Sequence, residues 1–123
     1  MNPHSGFKLV GRLADGRLRA LTGTLPDYAP GVWVTPPSGW GPLTCFADKS
    51  RALTLAGEIR SSVPFEVEVW SCLWLPWRLK LPFDSKSGEK LALWDELGFV
   101  LKTSELPKGT RLAKAICLQE ELK

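Results

Sequence analysis

The sequence predicts an α+β fold, a mostly antiparallel β-sheet with an N-terminal β-hairpin and two short helices packed on one face. Three observations support this class. Most apolar runs alternate with polar residues at the period of a strand, a turn signal lies at Asp15-Gly16, and two short segments are predicted to be helices. The 123 residues are the size of one domain. We expect residues 1–6 to form a flexible tail and residues 7–123 to form a single α+β domain.

The hairpin is predicted from two apolar-rich runs that flank Asp15-Gly16. This dipeptide suits a two-residue turn in which both central residues have positive φ. Such a turn would place Arg12 opposite Arg19 and Leu13 opposite Leu18. Because side chains alternate across a strand, one face of the hairpin would be apolar and the other cationic. The expected cationic face carries Lys8, Arg12, Arg17 and Arg19.

The middle of the chain is predicted to cross the molecule irregularly before it forms a strand and a helix. Residues 23–43 hold half of the ten prolines, with a short edge strand at 32–34. A strand over residues 43–46 follows. A helix then begins with Asp48 as its N-cap and ends at Gly57, where a left-handed residue would stop it.

The longest predicted strand covers residues 65–75. A second helix is expected over residues 89–98, where Leu91, Trp94 and Leu97 recur at helical spacing, and a strand over 99–102. The spacing of apolar residues in 111–122 fits both a helix and a strand. Periodicity alone leaves that last element open.

One face of the long strand changes from charged to aromatic along its length. Glu66 and Glu68 lie at its start, and Trp70 and Trp74 at its end. A strand buried on one side alternates cleanly, so the aromatic half must be covered, either by this chain or by a partner. The candidate partner-binding residues are Trp70, Trp74, Trp77 and Trp40.

The cationic hairpin face needs a compensating negative charge, because Arg12 and Arg19 would repel one another. Glu66 and Glu68 could supply it from a neighbouring strand. An external anion, such as the phosphate of a nucleotide, could supply it instead, and the two are not exclusive. The candidate anion-binding residues are Lys8, Arg12, Arg17 and Arg19.

Enzyme chemistry is not predicted. His4 is the single histidine and falls in the expected tail, which disfavours acid–base or nucleophilic work through a histidine. Glu66 and Glu68 would lie about 7 Å apart, within reach of a two-carboxylate mechanism, but a solvated strand face explains them better. The three cysteines lack the paired spacing of a zinc site, and we expect neither metal nor cofactor.

The odd number of widely spaced cysteines and the lack of a secretory-signal pattern favour a cytoplasmic protein. A net charge of +3 is low for a dedicated nucleic-acid binder, so nucleic acid is a possible but disfavoured partner. The first residues, MNPHSGFKLVGR, lack the pattern of a secretory signal. No apolar run reaches the length of roughly 18 residues that a membrane span needs.

Several segments of the chain resemble small hypothetical proteins encoded by phages and prophages. They are FKLVGRLADGRLRAL at the start, YAPGVWVTPPSGWGPLTCFADKSRALTLAG and FEVEVW in the middle, and LPKGTRLAKAICLQEEL at the end. The resemblance implies that the last element is a strand. It implies no named activity and no site residues. Because small phage accessory proteins often bind and disable a host component, it also implies a binding protein.

These observations together predict a small non-enzymatic accessory protein of a phage or mobile element. It would bind a host protein, as an inhibitor or anti-defence factor, or bind itself, through the tryptophan-rich sheet face. One alternative is a ligand-binding module that sequesters a nucleotide signal on the cationic hairpin face. Another is a minor structural protein of the virion.

Overall fold

The fold is a mostly antiparallel β-sheet with one helix in the part of the chain that the structure describes, which confirms the predicted class. The computed structural model describes residues 2–21, 27–36, 43–77, 91–92, 100–101 and 109–122. The elements in chain order are β1 His4–Arg12, β2 Leu18–Ala20, β3 Asp27–Tyr28, β4 Trp33–Val34, β5 Leu43–Phe46, α1 Lys49–Arg60, β6 Glu66–Pro76, β7 Leu91–Ala92, β8 Val100–Leu101 and β9 Thr110–Leu122.

Four strands of the sheet close into a ring. The long strand β6 pairs with β1 along one edge and with β9 along the other. Strand β5 then pairs with β9 and, at Phe7 and Phe46, with β1. Strands β2 and β3 extend the sheet beyond β1, and β4 extends it beyond β9. The sheet is therefore a small barrel with two short outer edges, β3 and β4.

The alternation predicted for the long strand is confirmed and separates two apolar clusters. Val67 and Val69 of β6 pack with the helix residues Ala52, Ala56 and Ile59. The other face of the strand supplies an inner cluster with residues of β1, β2, β5 and β9. Its members from β6 are Trp70, Cys72 and Trp74.

The first predicted helix is present, and its start is confirmed. The Asp48 carboxylate accepts a hydrogen bond from the Ser50 backbone N–H at 2.9 Å, which caps the helix. The predicted end at Gly57 is wrong, because α1 continues to Arg60. Ile59 follows Ala52 and Ala56 at helical spacing and is buried against the sheet. Burial of that side chain favours another turn of helix over a stop at the glycine.

The second predicted helix is wrong. Of residues 89–98 the structure describes Leu91 and Ala92, which form strand β7 and pair with Leu101 and Val100. A short apolar run is compatible with a helix and with a strand, and the presence of a cross-strand partner decides between them. The strand predicted over 99–102 is present at Val100–Leu101.

The N-terminal chain reverses near Asp15-Gly16, but the predicted register is wrong by one residue. Leu13 N–H donates to the Arg17 carbonyl at 2.9 Å, so the loop holds three residues. Arg12 consequently pairs with Leu18, and Arg19 pairs with Gly11. A two-residue turn would need positive φ at Asp15, whereas here only Gly16 has it, at 90°. The Asp15 carboxylate instead accepts the Arg17 N–H at 3.1 Å.

Both ends of the described chain are strands that pair with β6. Strand β1 begins at His4, which pairs with Trp74, so three residues of the expected tail belong to the sheet. Residues 110–122 form β9, the strand that the resemblance implied. Strand β9 pairs with β4, β5 and β6, and those three partners explain why an amphipathic segment with two possible periods is extended.

Candidate functional site

The four predicted anion-binding residues lie on two different faces of the sheet. Lys8 and Arg12 share the inner face with Val10, since residues two apart on a strand point the same way. Arg19 pairs with Gly11 and lies on the opposite face. The one-residue difference in register therefore divides the cations that the sequence placed together.

Lys8 lies inside the barrel with no exposed surface. Its ammonium donates to the Thr44 carbonyl oxygen at 2.7 Å and lies 5.6 Å from the centre of the Tyr28 ring. Burial lowers the pKa of Lys8 to about 8, and the nearby thiols of Cys45 and Cys72 oppose that change. A surface anion cannot reach this amine in the described conformation.

Arg12 forms a two-point ion pair with Glu68 at one end of the barrel. Arg12 Nε lies 2.6 Å from Glu68 Oε2, and Arg12 Nη2 lies 3.1 Å from Oε1. The Trp70 indole N–H donates to the same Oε1 at 2.9 Å. The hydrogen bond from Arg12, followed by that from Trp70, holds the pKa of Glu68 below its usual value. The positive charge of Arg12 is therefore neutralised by Glu68 of the same chain.

The remaining two cations are paired on the outer surface. Arg17 Nε lies 2.6 Å from Asp15 Oδ2, and its Nη1 lies 3.1 Å from Asp27 Oδ2. Arg19 Nε lies 3.1 Å from Asp27 Oδ1. An external anion at either guanidinium would have to compete with a carboxylate of this chain.

The two tryptophans of β6 are covered by the chain itself. Trp70 and Trp74 are each 8% exposed and belong to the inner cluster. The Trp74 indole N–H donates to the Ser5 carbonyl at 3.2 Å, and the His4 ring lies 4.9 Å from the Trp74 ring. A Cβ on Gly6 would come within 2.8 Å of the Trp74 indole nitrogen, so the glycine gives that ring its space. The β1 backbone therefore helps to bury Trp74.

Of the other two predicted partner-binding residues, the structure describes only Trp77. Trp77 follows β6, is half-buried, and its backbone N–H donates to the Leu112 carbonyl at 3.1 Å. Trp40 lies outside the described residues. The structure thus brings Trp70 and Trp74 together in the inner cluster, with Trp77 just past the end of the same strand. Their role in binding stays a prediction.

A different tryptophan is exposed at the edge of the sheet. Val32 is 52% exposed and Trp33 is 43% exposed, and the third large exposed apolar residue of the described chain, Leu53 on α1, is 42% exposed. Val32 and Trp33 are consecutive, whereas Leu53 stands apart. We call residues 29–36 the β4 segment; it contains no charged residue.

The β4 segment is held in place by the sheet. Trp33 pairs with Cys117 and Val34 with Ile116, and in the described ranges β4 has no other strand as a neighbour. Gly31 has a φ of 79°, and its N–H donates to the Leu118 carbonyl at 2.8 Å. Val34 packs against the inner cluster. The exposed pair is thus presented on an anchored strand that has β9 as its one neighbouring strand within the described ranges.

Sequence reasoning identified residues 32–34 as an edge strand but not as a candidate site. The signal was present as an uncharged apolar run between Pro30 and Pro36 on a predicted edge strand, where natural proteins often place charge. The density of tryptophan in residues 67–77 instead favoured β6 as the predicted site. Whether an indole is covered depends on which strand lies against it, which the sequence does not state.

No family model, no curated protein and no solved structure matches the chain. Within the described ranges, no helix has the length and apolar character needed to cross a membrane. The same residues contain no group of three or more histidine, cysteine, aspartate or glutamate side chains placed to hold a metal ion.

Proposed function

We propose that this protein acts by binding a partner protein through the β4 segment and that it catalyses no reaction. The observation that supports the proposal is the consecutive exposure of Val32 and Trp33 on an outer strand. Indole is large, rigid and amphipathic, and exposed tryptophans are frequent at the energetic centre of protein interfaces. A host protein bound by a phage accessory protein is the partner class that we propose.

The partner-binding residue in this proposal is Trp33, in place of the β6 tryptophans that the sequence predicted. Trp70 and Trp74 contribute to the inner cluster, so their contact with a partner would require the barrel to open. Removal of either indole would also leave a cavity in that cluster, which costs about 3 to 5 kcal/mol of stability. Loss of binding in such variants would therefore not identify an interface, and Trp33 is the better position to test.

The nucleotide-binding alternative has less support. A phosphate would have to displace Glu68 from Arg12, and Asp15 and Asp27 from Arg17. Lys8 is enclosed by the barrel. The proposal therefore rests on apolar contact and not on attraction of an anion.

The proposal is tested by photo-crosslinking from single positions in host cells. The photoreactive residue p-benzoylphenylalanine replaces Trp33 in one version of the protein and Leu53 in another. We expect a discrete crosslinked species from position 33, because the partner lies against it. Position 53 has nearly the same exposure and should give none. Mass spectrometry of the adduct then identifies the partner.

The same adduct must disappear when an unmodified chain is added in excess, whereas the double variant Val32→Ser/Trp33→Ser must fail to compete. Equal adducts from positions 33 and 53, or efficient competition by the double variant, would show that the β4 segment is not the binding surface. Circular dichroism of each variant verifies that the sheet is retained.

A further inference from the structure

We infer that two thiols inside the barrel, those of Cys45 and Cys72, form a binding site for one Cu(I) ion. The two cysteines lie on different strands, β5 and β6, and both belong to the inner cluster. Neither belongs to the β4 segment, so the site is independent of the proposed function. Three features support it: the contact between the thiols, the positive charge of Lys8 near them, and the buried hydroxyl of Tyr28.

The barrel brings together two cysteines that lie far apart in the sequence. Cys72 pairs with Gly6 on one edge of β1. Phe46, the residue after Cys45, pairs with Phe7 on the other edge of β1. Cys45 and Cys72 are 0% and 2% exposed, and a hydrogen bond joins their thiols. A soft cation bound between the two sulfurs would replace the proton that they share.

The number and kind of donor atoms favour Cu(I) over other metals. Thiolate sulfur binds soft metal ions, among which are Cu(I) and Zn(II). A structural zinc site takes four ligands. In the part of the chain that the structure describes, no group of three or more histidine, cysteine, aspartate or glutamate side chains is placed to hold a metal ion. Cu(I), with a single positive charge and a filled d shell, is stable between two thiolates.

Lys8 supplies the charge that such a complex needs inside the barrel. Coordination releases both thiol protons to solvent while copper stays monovalent, so the two thiolates and the ion carry one net negative charge. An isolated charge is costly in an apolar interior. The Lys8 amine is buried near both thiols, and with a pKa of about 8 it is mostly protonated at neutral pH. Its positive charge offsets that of the complex.

A second buried polar group lies in the same cluster. Tyr28 is 5% exposed, and among the described residues its hydroxyl has no hydrogen-bond partner. Buried hydroxyls without a partner are uncommon, because the lost hydrogen bond costs free energy. The Tyr28 ring packs in the inner cluster with both cysteines. A thiolate is a stronger hydrogen-bond acceptor than a thiol, so coordination would create an acceptor in the surroundings of this hydroxyl.

Titration of the reduced, folded chain into the coloured Cu(I)–bicinchoninate complex under nitrogen tests the inference. We expect each chain to withdraw one Cu(I) and its Tm to rise, because an ion bound by the folded state stabilises it. Cys45→Ser and Cys72→Ser should each abolish this withdrawal. Cys117→Ser is the matched control and should bind as the unchanged chain does, because Cys117 is buried but is not a member of the inner cluster.

Replacement of Lys8 by methionine tests the role of its charge. We expect the affinity for Cu(I) to fall roughly tenfold or more, because charges a few ångströms apart interact strongly in a buried site. The number of copper ions bound at saturation should not change. Circular dichroism verifies that each variant retains the sheet.

X-ray absorption of the copper-loaded, unchanged chain identifies the ligands without any substitution, so it decides the question even if a cysteine variant fails to fold. Two sulfur ligands are expected. The inference is overturned by nitrogen or oxygen ligands, by a third sulfur, or by a folded chain that withdraws no copper. It is also overturned if folded Cys45→Ser or Cys72→Ser still binds, if folded Cys117→Ser does not, or if Lys8→Met leaves the affinity unchanged.

Discussion

Replacement of Glu68 by alanine is expected to lower the free energy of unfolding by about 3 kcal/mol. The change leaves the Arg12 guanidinium without its carboxylate and the buried Trp70 indole N–H without its acceptor. A buried donor that loses its partner costs about 1 to 3 kcal/mol. Arg12 is partly exposed and regains some hydration, which keeps the total below the upper end for a fully buried pair. Urea denaturation at neutral pH measures the loss.

Glu66→Ala is the matched control, because Glu66 lies two residues earlier on the same strand and is exposed. It should change stability by less than about 0.5 kcal/mol. Equal losses in the two variants would contradict the account of this ion pair. The pKa of Glu68 is lowered in the folded protein, so its contribution is present above pH 4.5 and is lost as the pH falls through the folded value.

Replacement of Lys8 by methionine is expected to remove a pH dependence of about 2 to 3 kcal/mol from the stability of the protein. The pKa of Lys8 falls from 10.5 to about 8 because the amine is buried. Between these values the unfolded chain binds more protons than the folded one, so the Lys8 contribution to stability rises with pH. The methionine variant lacks this rise. Thermal or urea unfolding from about pH 7 to about pH 10 measures it in both proteins.

The comparison must be made as a difference between the two proteins, because neighbouring groups titrate in the same range. Burial raises the pKa of Tyr28, and the pKa of Cys45 is raised by its hydrogen bond with Cys72 and by burial. Stability from such acids is lost as pH rises above their unfolded values, which opposes the effect of Lys8. Both groups remain in Lys8→Met and cancel to first order. A stability difference that stays constant with pH would contradict a buried, titrating Lys8.

The sheet could be predicted because its strands alternate over long distances. Residues 65–75 keep their apolar side chains on one face until Trp70, and that pattern correctly gave β6 and its two surfaces. The type of a short element was harder to predict from spacing alone. Leu91, Trp94 and Leu97 recur at helical spacing in the sequence, yet Leu91–Ala92 form a strand because they pair with Val100–Leu101. A pairing partner outside the local window overrides a short periodic pattern.

The candidate site was harder to predict than the fold, since it depends on strand register and on which strands bury each side chain. A loop longer by one residue at Gly16 moved Arg19 to the face opposite Arg12 and divided the expected cationic surface. Closure of the ring placed β1 against Trp74, which covered the indoles of the expected binding face. Both effects are long-range consequences of strand order. The local sequence predicts residues 32–34 as an edge strand. It does not show that Trp33 is more exposed than the tryptophans of β6.

The β6 indoles are enclosed by the barrel, whereas Trp33 faces outward. Fluorine NMR of the chain labelled with fluorotryptophan tests this arrangement most directly, with each signal assigned by a Trp→Phe variant. A soluble paramagnetic chelate is added to broaden the signals of exposed indoles. We expect strong broadening of the Trp33 signal and little change in the signals of Trp70 and Trp74. Broadening of Trp70 or Trp74 to the same degree as Trp33 would contradict it.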